Sequence, residues 1–223
     1  MIHLNKLSQT NQGRPMARII ITLLSVFLFL YGLYADIHTI RICSKPIPIL
    51  ILLWMVSSRK EKWLMGALGF SLLGDIILEL PNILPFALGL ASFLIAHILY
   101  IRRFLIGPIQ KLLWPITPIS LYCGTLFWFM LPNLGPLLIP VFLYVLIIAT
   151  MLWSACGYAY TTKKYWPLVG AILFVISDSL IAINKFILPF PQARYAIIIT
   201  YWLAQHLIIL PLISHQSHES RTP

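Results

Sequence analysis

Charged side chains and cysteines are scarce in this 223-residue sequence. Charged residues make up 10% of the chain, against about 25% in soluble proteins. The three cysteines, Cys43, Cys123 and Cys156, are widely spaced and form no CxxC pair, so they indicate neither a disulfide framework nor a zinc site. Hydrophobic residues, in contrast, make up 60% of the chain. This composition excludes a cytosolic enzyme, a disordered chain and a disulfide scaffold.

The apolar residues fall in blocks, most of them near the roughly 20 residues that a membrane-spanning helix needs. We count eight blocks, at about 19–35, 46–56, 63–80, 83–101, 112–131, 136–158, 166–183 and 193–213. The first is longer than the apolar core of a signal peptide, so we interpret it as an uncleaved span. The second is short, which predicts that it is tilted, partly re-entrant or extended by neighbouring residues. The sequence thus predicts an all-α, polytopic membrane protein with eight transmembrane helices.

The basic residues lie mainly in the breaks between these blocks. Twelve of the sixteen Lys and Arg residues fall on the N-terminal side of the predicted membrane domain and four on the other side. This asymmetry predicts that both termini are cytoplasmic. The net charge of +10 therefore orients the protein in a bilayer and does not indicate a nucleic-acid partner. We divide the chain into a basic N-terminal tail (1–18), an eight-span domain (19–213) and a polar C-terminal tail (214–223).

Two acidic residues lie well inside predicted spans. Asp75 is in the third and Asp178 in the seventh. A carboxylate at mid-helix costs roughly 2.5–3.5 kcal/mol on insertion, whereas a structural interhelical hydrogen bond returns only about 0.6 kcal/mol. A purely structural role is therefore the weaker explanation. We expect both carboxyl groups to face one cavity, where one acts as an acid and the other as a base.

Further polar residues are candidates for binding a substrate. His97 and Tyr100 share a face of the fourth span, and Tyr201 and Gln205 share a face of the last. Structural alternatives are a buried histidine, an interfacial tyrosine and an interhelical glutamine. At the predicted non-cytoplasmic side, the candidates are Lys45, Asn184 and Lys185, with a snorkelling lysine as the alternative for Lys45. Glu79, near the membrane boundary, is predicted to be solvated.

Several catalytic signatures are absent from the sequence: HExxH, GxSxG, a P-loop and a dinucleotide fingerprint. Only two histidines, His97 and His206, lie within spans, too few for a three-histidine zinc site. We therefore predict no metal and no cofactor.

Four motifs in order resemble the YhhN-like lysoplasmalogenase family. They are Ser71-Leu72-Leu73-Gly74-Asp75, the run from Gly89 to Tyr100, the run from Gly170 to Ser179, and Tyr201-Trp202-Leu203-Ala204-Gln205; Lys45-Pro46 also fits. The resemblance covers about 18–213. It implies an integral membrane hydrolase that cleaves the vinyl-ether bond of lysoplasmalogens to a fatty aldehyde and glycerophosphoethanolamine or glycerophosphocholine.

The resemblance implies that Asp75 and Asp178 are catalytic. Lys45, His97, Tyr100 and Gln205 match family positions of less certain role, and we group them with Ser71, Asn184, Lys185 and Tyr201 as substrate-binding candidates. The expected partners are a lysophospholipid and the lipid bilayer, in the bacterial inner membrane if the source is prokaryotic. Two alternatives stay open: a proton-coupled transporter that uses the Asp pair, and a hydrolase of another lysolipid or ether lipid. The chain is either a monomer or a homodimer.

Overall fold

The fold is that of a helical bundle. The computed structural model describes residues 2–59, 61–80, 83–107 and 109–214, and within these ranges the regular secondary structure is entirely helical. The predicted all-α class is therefore confirmed for the described part of the chain. The predicted C-terminal tail lies outside the described residues beyond Ser214, and the predicted N-terminal tail is continuous with the first helix from Ile2 onward.

Nine α-helices follow one another in the described residues. In chain order they are α1 (Ile2–Tyr34), α2 (His38–Ser44), α3 (Ile47–Ser57), α4 (Lys62–Leu78), α5 (Ile83–Phe104), α6 (Ile116–Met130), α7 (Leu138–Thr162), α8 (Trp166–Ala182) and α9 (Ala193–Ser214). Two short 3₁₀ turns, Leu131–Asn133 and Gly135–Leu137, connect α6 to α7. Because α2 and α3 meet at Lys45-Pro46, the nine helices form eight successive rods.

Six segments of the described chain are long and apolar enough to cross a membrane. They are Met16–Tyr34, His38–Ser57, Leu84–Phe104, Gly135–Thr162, Trp166–Ile187 and Ala193–Ser214. The short second apolar block of the sequence is preceded by α2, and together they form the segment His38–Ser57. The other two predicted spans coincide with α4 and α6, which have 17 and 15 residues. Large apolar side chains such as Leu23, Trp54 and Trp128 are exposed on the outside of the bundle, as expected for a protein surrounded by lipid.

Two helix pairs pack most extensively, α4 with α5 and α8 with α9. Both contacts depend on glycine. A Cβ atom at Gly74 would lie 2.7 Å from the ring of Phe93, and one at Gly170 would lie 2.8 Å from the backbone oxygen of Ala204. Small residues of this kind let membrane helices approach closely. These two contacts place the motif residues of α4 and α8 against α5 and α9.

A single π-helical turn, Ile183–Ile187, extends α8 at its C-terminal end. Such turns are rare and occur often at functional sites. This turn carries Asn184 and Lys185, two of the predicted binding residues, and also the buried side chain of Phe186.

Candidate functional site

Asp178 contacts two aromatic side chains from neighbouring helices. Its side chain, on α8, is 13% exposed. The hydroxyl of Tyr144 on α7 donates a hydrogen bond of 2.5 Å to Oδ2 of Asp178. The same oxygen lies 3.8 Å from Nε2 of His97 on α5. His97 is fully buried. Asp178 and His97, predicted separately, are thus brought together.

Asp178 also lines an apolar cavity between α5, α6, α7 and α8. Tyr144 belongs to the same wall, and Phe86, Leu90 and Val141 are among the apolar residues around it. An apolar pocket with a few convergent polar groups is the usual form of a small-molecule site. One predicted catalytic acid therefore lies against a space whose walls are mostly apolar.

Asp75 has a more polar environment. The hydroxyl of Tyr201 on α9 donates a hydrogen bond of 2.8 Å to Oδ2 of Asp75, which is 3% exposed. The ammonium group of Lys45 lies 3.8 Å from Oδ1 and donates a hydrogen bond of 3.2 Å to the backbone oxygen of the same residue. The structure thus joins Asp75, Tyr201 and Lys45, all three of which the sequence identified as candidates.

Glu79 completes an ion-pair cluster one helical turn beyond Asp75. Its Oε1 accepts a hydrogen bond of 2.9 Å from Lys45, and its Oε2 accepts one of 3.2 Å from Arg194. The Glu79 side chain is 7% exposed. The prediction that Glu79 is solvated is therefore wrong: two cations from other helices hold it in the protein, because a buried carboxylate needs paired charge.

A polar cavity lies at this end of the bundle. Its wall carries Lys45, Glu79, Asn184, Lys185 and Arg194. Arg194 and Lys185 are exposed there, whereas Lys45 is buried. Three cations around one carboxylate make this cavity, which we call the polar mouth, attractive to an anion.

The contacts of Asn184 and Lys185 differ in kind. The side-chain oxygen of Asn184 accepts a hydrogen bond of 3.1 Å from the backbone nitrogen of Phe190, so it fixes the loop after the π turn. The ammonium group of Lys185 lies over the ring of Phe86, 4.2 Å from its centroid. Lys185 is consequently the freer of the two to meet a ligand.

The expectation that both carboxyl groups face one cavity is wrong, because aromatic side chains lie between the two acids. Asp178 lines the apolar cavity, while Asp75 lines a separate one together with Lys45 and Glu79. A series of ring contacts connects Tyr201, the partner of Asp75, to Tyr144, the partner of Asp178. The ring centroids are 5.5 Å apart for Tyr201 and Phe174, 4.7 Å for Phe174 and His97, and 5.3 Å for His97 and Tyr144. An aromatic layer thus lies between the two carboxyl groups.

A buried hydrogen-bond chain contains the remaining candidates. The amide of Gln205 donates to the hydroxyl of Ser71 at 3.1 Å, and the hydroxyl of Tyr100 donates to the side-chain oxygen of Gln205. All three side chains are fully buried. This arrangement joins α4, α5 and α9 and matches the interhelical alternative for Gln205, while Tyr100 lies in the interior and not at a membrane interface.

Sequence reasoning missed Tyr144 and Arg194 as parts of the site. Tyr144 lies in an apolar block without any motif, so its hydroxyl group is the one sequence feature that could have identified it as a site residue. Arg194 looks like an ordinary basic residue of a short connection. Among the described residues, no group of three His, Cys, Asp or Glu side chains is placed to hold a metal ion.

The chain is similar to proteins with a curated function. It is 40% identical to lysoplasmalogenase TMEM86B of Sus scrofa over 149 residues, which are 66% of this chain and 62% of that protein. It is 36% identical to TMEM86B of Rattus norvegicus over 171 residues, 75% of this chain and 70% of the relative. A lysoplasmalogenase of Mycobacterium tuberculosis is 36% identical over 141 residues, 58% of this chain and 52% of the relative.

No solved structure matches the chain significantly. The sequence pattern that defines the YhhN family matches residues 40–212, from α2 to α9. This range contains both predicted catalytic acids, the lining of the apolar cavity and, apart from Phe29, that of the polar mouth. The chain belongs to the YhhN family.

Proposed function

We propose that this chain is a lysoplasmalogenase, which hydrolyses the vinyl-ether bond of a lysoplasmalogen. The observation that carries the proposal is the position of Asp178 in an apolar cavity beside a cation-lined mouth. A single-chain phospholipid has the complementary shape, with one hydrocarbon chain and one phosphate. The relatives named above are lysoplasmalogenases, which supports the same reaction here. The comparisons lend no support to the transporter alternative.

The proposed topology has eight spans, with both termini in the cytoplasm. The six long apolar segments make the chain an integral membrane protein. A helix rises about 1.5 Å per residue, so α4 and α6 cross most of a bilayer core of about 30 Å. The distribution of basic residues supports the orientation. If the source is prokaryotic, this membrane is the inner membrane.

The substrate lies across both cavities in this proposal. Its alkenyl chain occupies the apolar cavity, and its phosphate lies in the polar mouth near Lys185 and Arg194. Lys45, a predicted substrate-binding residue, makes its hydrogen bonds to Glu79 and to the backbone of Asp75. We therefore assign Lys45 to holding this carboxylate cluster rather than to direct phosphate contact.

Asp178 is the proposed proton donor because it borders the cavity in which the double bond would lie. The proton goes to the outer alkene carbon, whose new C–H bond takes the π electrons and leaves an oxocarbenium ion. Water adds to this ion and loses a proton, giving a hemiacetal. The C–O bond then breaks, the glycerol oxygen takes up a proton, and an aldehyde leaves. Glycosidases divide a related task between two carboxyl groups: one donates a proton to the leaving-group oxygen, and the other acts on the oxocarbenium-like centre.

Asp75 is the second carboxyl group in this proposal. Its negative charge stabilises the oxocarbenium ion from the far side of the aromatic layer, and the ammonium group of Lys45 and the hydroxyl of Tyr201 hold it in place. Ser71, Tyr100 and Gln205 position α4 and α9 around it through their hydrogen bonds. No metal or cofactor takes part in this scheme.

The test is aldehyde release from a purified lysoplasmalogen by the purified protein, followed by mass spectrometry. Asp178→Asn is expected to abolish the release. Asp75→Asn is expected to reduce it by about 10²-fold or more, the usual loss when a group that stabilises transition-state charge is removed. A panel of vinyl-ether, alkyl-ether and ester lysolipids separates this activity from that of another lysolipid hydrolase. Substantial aldehyde release by Asp178→Asn would exclude Asp178 as the proton donor.

Asp36→Asn provides a matched control. Asp36 is 90% exposed in the turn between α1 and α2, and the hydrogen bond from Arg41 lowers the pKa of its carboxyl group. Its φ of 53° is one that asparagine tolerates. Asp36 lines neither cavity, so the same chemical change there is expected to leave aldehyde release intact.

A further inference from the structure

We propose that Phe86 and Ile181 form a constriction that admits a glycerol carrying a free sn-2 hydroxyl and excludes one carrying an sn-2 acyl group. The inference rests on the proposed function and deepens it, because it assigns selectivity for single-chain substrates to two named side chains. Phe86 belongs to α5 and Ile181 to α8.

The position of these two residues follows from the walls of the cavities. Both Phe86 and Ile181 line the apolar cavity, and both also line the polar mouth. Among the described residues, they are the two that belong to both walls. A molecule that occupies both spaces at once must therefore pass between or beside them.

The Phe86 ring is held in place from two sides. It makes an edge-to-face contact with Phe186, with ring centroids 6.0 Å apart. The ammonium group of Lys185 lies over it at 4.2 Å from the centroid. Both partners come from the π turn, so an α8 without this turn would present them differently. A ring fixed by a cation and a second aromatic side chain is a firm wall, not a freely moving one.

The substrate geometry then locates the sn-2 position. The phosphate lies in the polar mouth and the vinyl ether lies beside Asp178, so the three glycerol carbons lie at the constriction. A hydroxyl group on the middle carbon adds one small atom there. An acetyl or longer acyl group adds bulk in the same place, where it meets the Phe86 ring and the Ile181 side chain.

The experiment compares aldehyde release from three vinyl-ether lipids that differ only at sn-2, with a hydroxyl, an acetyl or a long acyl group. The variants are Phe86→Ala, Phe86→Leu and Ile181→Ala. Phe129→Ala is the matched control, because Phe129 is 61% exposed on α6 and lines neither cavity. Pocket contacts of one or two carbons discriminate by about 10-fold or more. We expect the ratio of sn-2-acetyl to sn-2-hydroxyl kcat/KM to rise by about that factor.

The outcomes separate this inference from the function on which it rests. A rise in that ratio for Ile181→Ala or either Phe86 variant, and none for Phe129→Ala, supports the constriction. Wild-type protein that cleaves lysoplasmalogen, with ratios in all three variants equal to that of Phe129→Ala, would overturn the constriction alone. Wild-type protein that cleaves both lipids equally well would also overturn it. Wild-type protein that releases no aldehyde from any of the three lipids would overturn the proposed function and this inference together.

Discussion

The hydroxyl of Tyr144 donates a hydrogen bond of 2.5 Å to the carboxyl group of Asp178, and both residues line the apolar cavity. Tyr144 comes from α7 and Asp178 from α8, so this bond fixes the orientation of the proposed proton donor relative to the space for the alkenyl chain. Correct orientation of an acid contributes to the rate of proton transfer.

Replacing Tyr144 by Phe is therefore expected to lower kcat while leaving KM nearly unchanged. Losing a hydrogen bond to a neutral carboxyl group costs about 0.5–1.5 kcal/mol, which corresponds to roughly 2–10-fold in rate. Steady-state aldehyde release against lysoplasmalogen concentration measures both constants. Tyr122→Phe is the control, since Tyr122 lines the same cavity but donates to the hydroxyl of Ser179 at 2.8 Å. Equal losses of kcat in the two variants would contradict a specific role for Tyr144.

The exposed cations of the polar mouth are expected to act on the phosphate of the substrate. Lys185→Gln or Arg194→Gln is expected to raise KM for lysoplasmalogen by roughly fivefold, since an exposed charge contact is worth about 1 kcal/mol. A 1-alkenylglycerol without phosphate serves as the control substrate, and its KM is expected to stay constant. The measurement is a KM series with both lipids. A parallel rise for both would indicate a general disturbance of the site instead of phosphate recognition.

The buried Lys45 is expected to matter for stability. Its ammonium group pairs with Glu79 at 2.9 Å, and both side chains are nearly inaccessible, at 11% and 7% exposed. Removing one partner of a buried ion pair costs about 3–5 kcal/mol, and Arg194 compensates part of this cost. Thermal unfolding in detergent is expected to show a lower Tm for Lys45→Met than for Lys185→Met.

The double variant Lys45→Met with Glu79→Gln refines this prediction. It removes both charges of the pair, so it is expected to be more stable than Lys45→Met alone. A double variant that is less stable than the single one would show that the pair is not the source of the effect.

Replacing Gly170 by any larger residue is expected to lower the stability of the protein. A Cβ there would lie 2.8 Å from the backbone oxygen of Ala204 and 2.9 Å from the backbone nitrogen of Ile208, and a backbone cannot move aside as a flexible side chain can. Gly170→Ala is expected to destabilise the α8–α9 contact by about 1–3 kcal/mol. Gly124→Ala is the control, because a Cβ at Gly124 meets nothing within 4 Å. Unfolding in detergent with equal Tm values for the two variants would refute the close contact.

Much of the architecture could be predicted from the sequence. Apolar blocks indicated the helices, and Asp75 and Asp178 were visible because a carboxyl group inside an apolar block is costly. Their partners were less visible. Tyr144 has no charge and no motif, and tyrosine is common in membrane helices, so no cost marks its position.

The sequence by itself determined that this is a helical membrane protein of the YhhN family, since hydrophobic length and motif order are properties of the linear chain. Only the tertiary structure decided which polar groups meet. The helices are apolar around most of their circumference, so no amphipathic pattern states which face lies inward. Packing through Gly74 and Gly170 sets those faces. It places Asp178 against an apolar cavity, Asp75 against Lys45, and aromatic rings between the two acids.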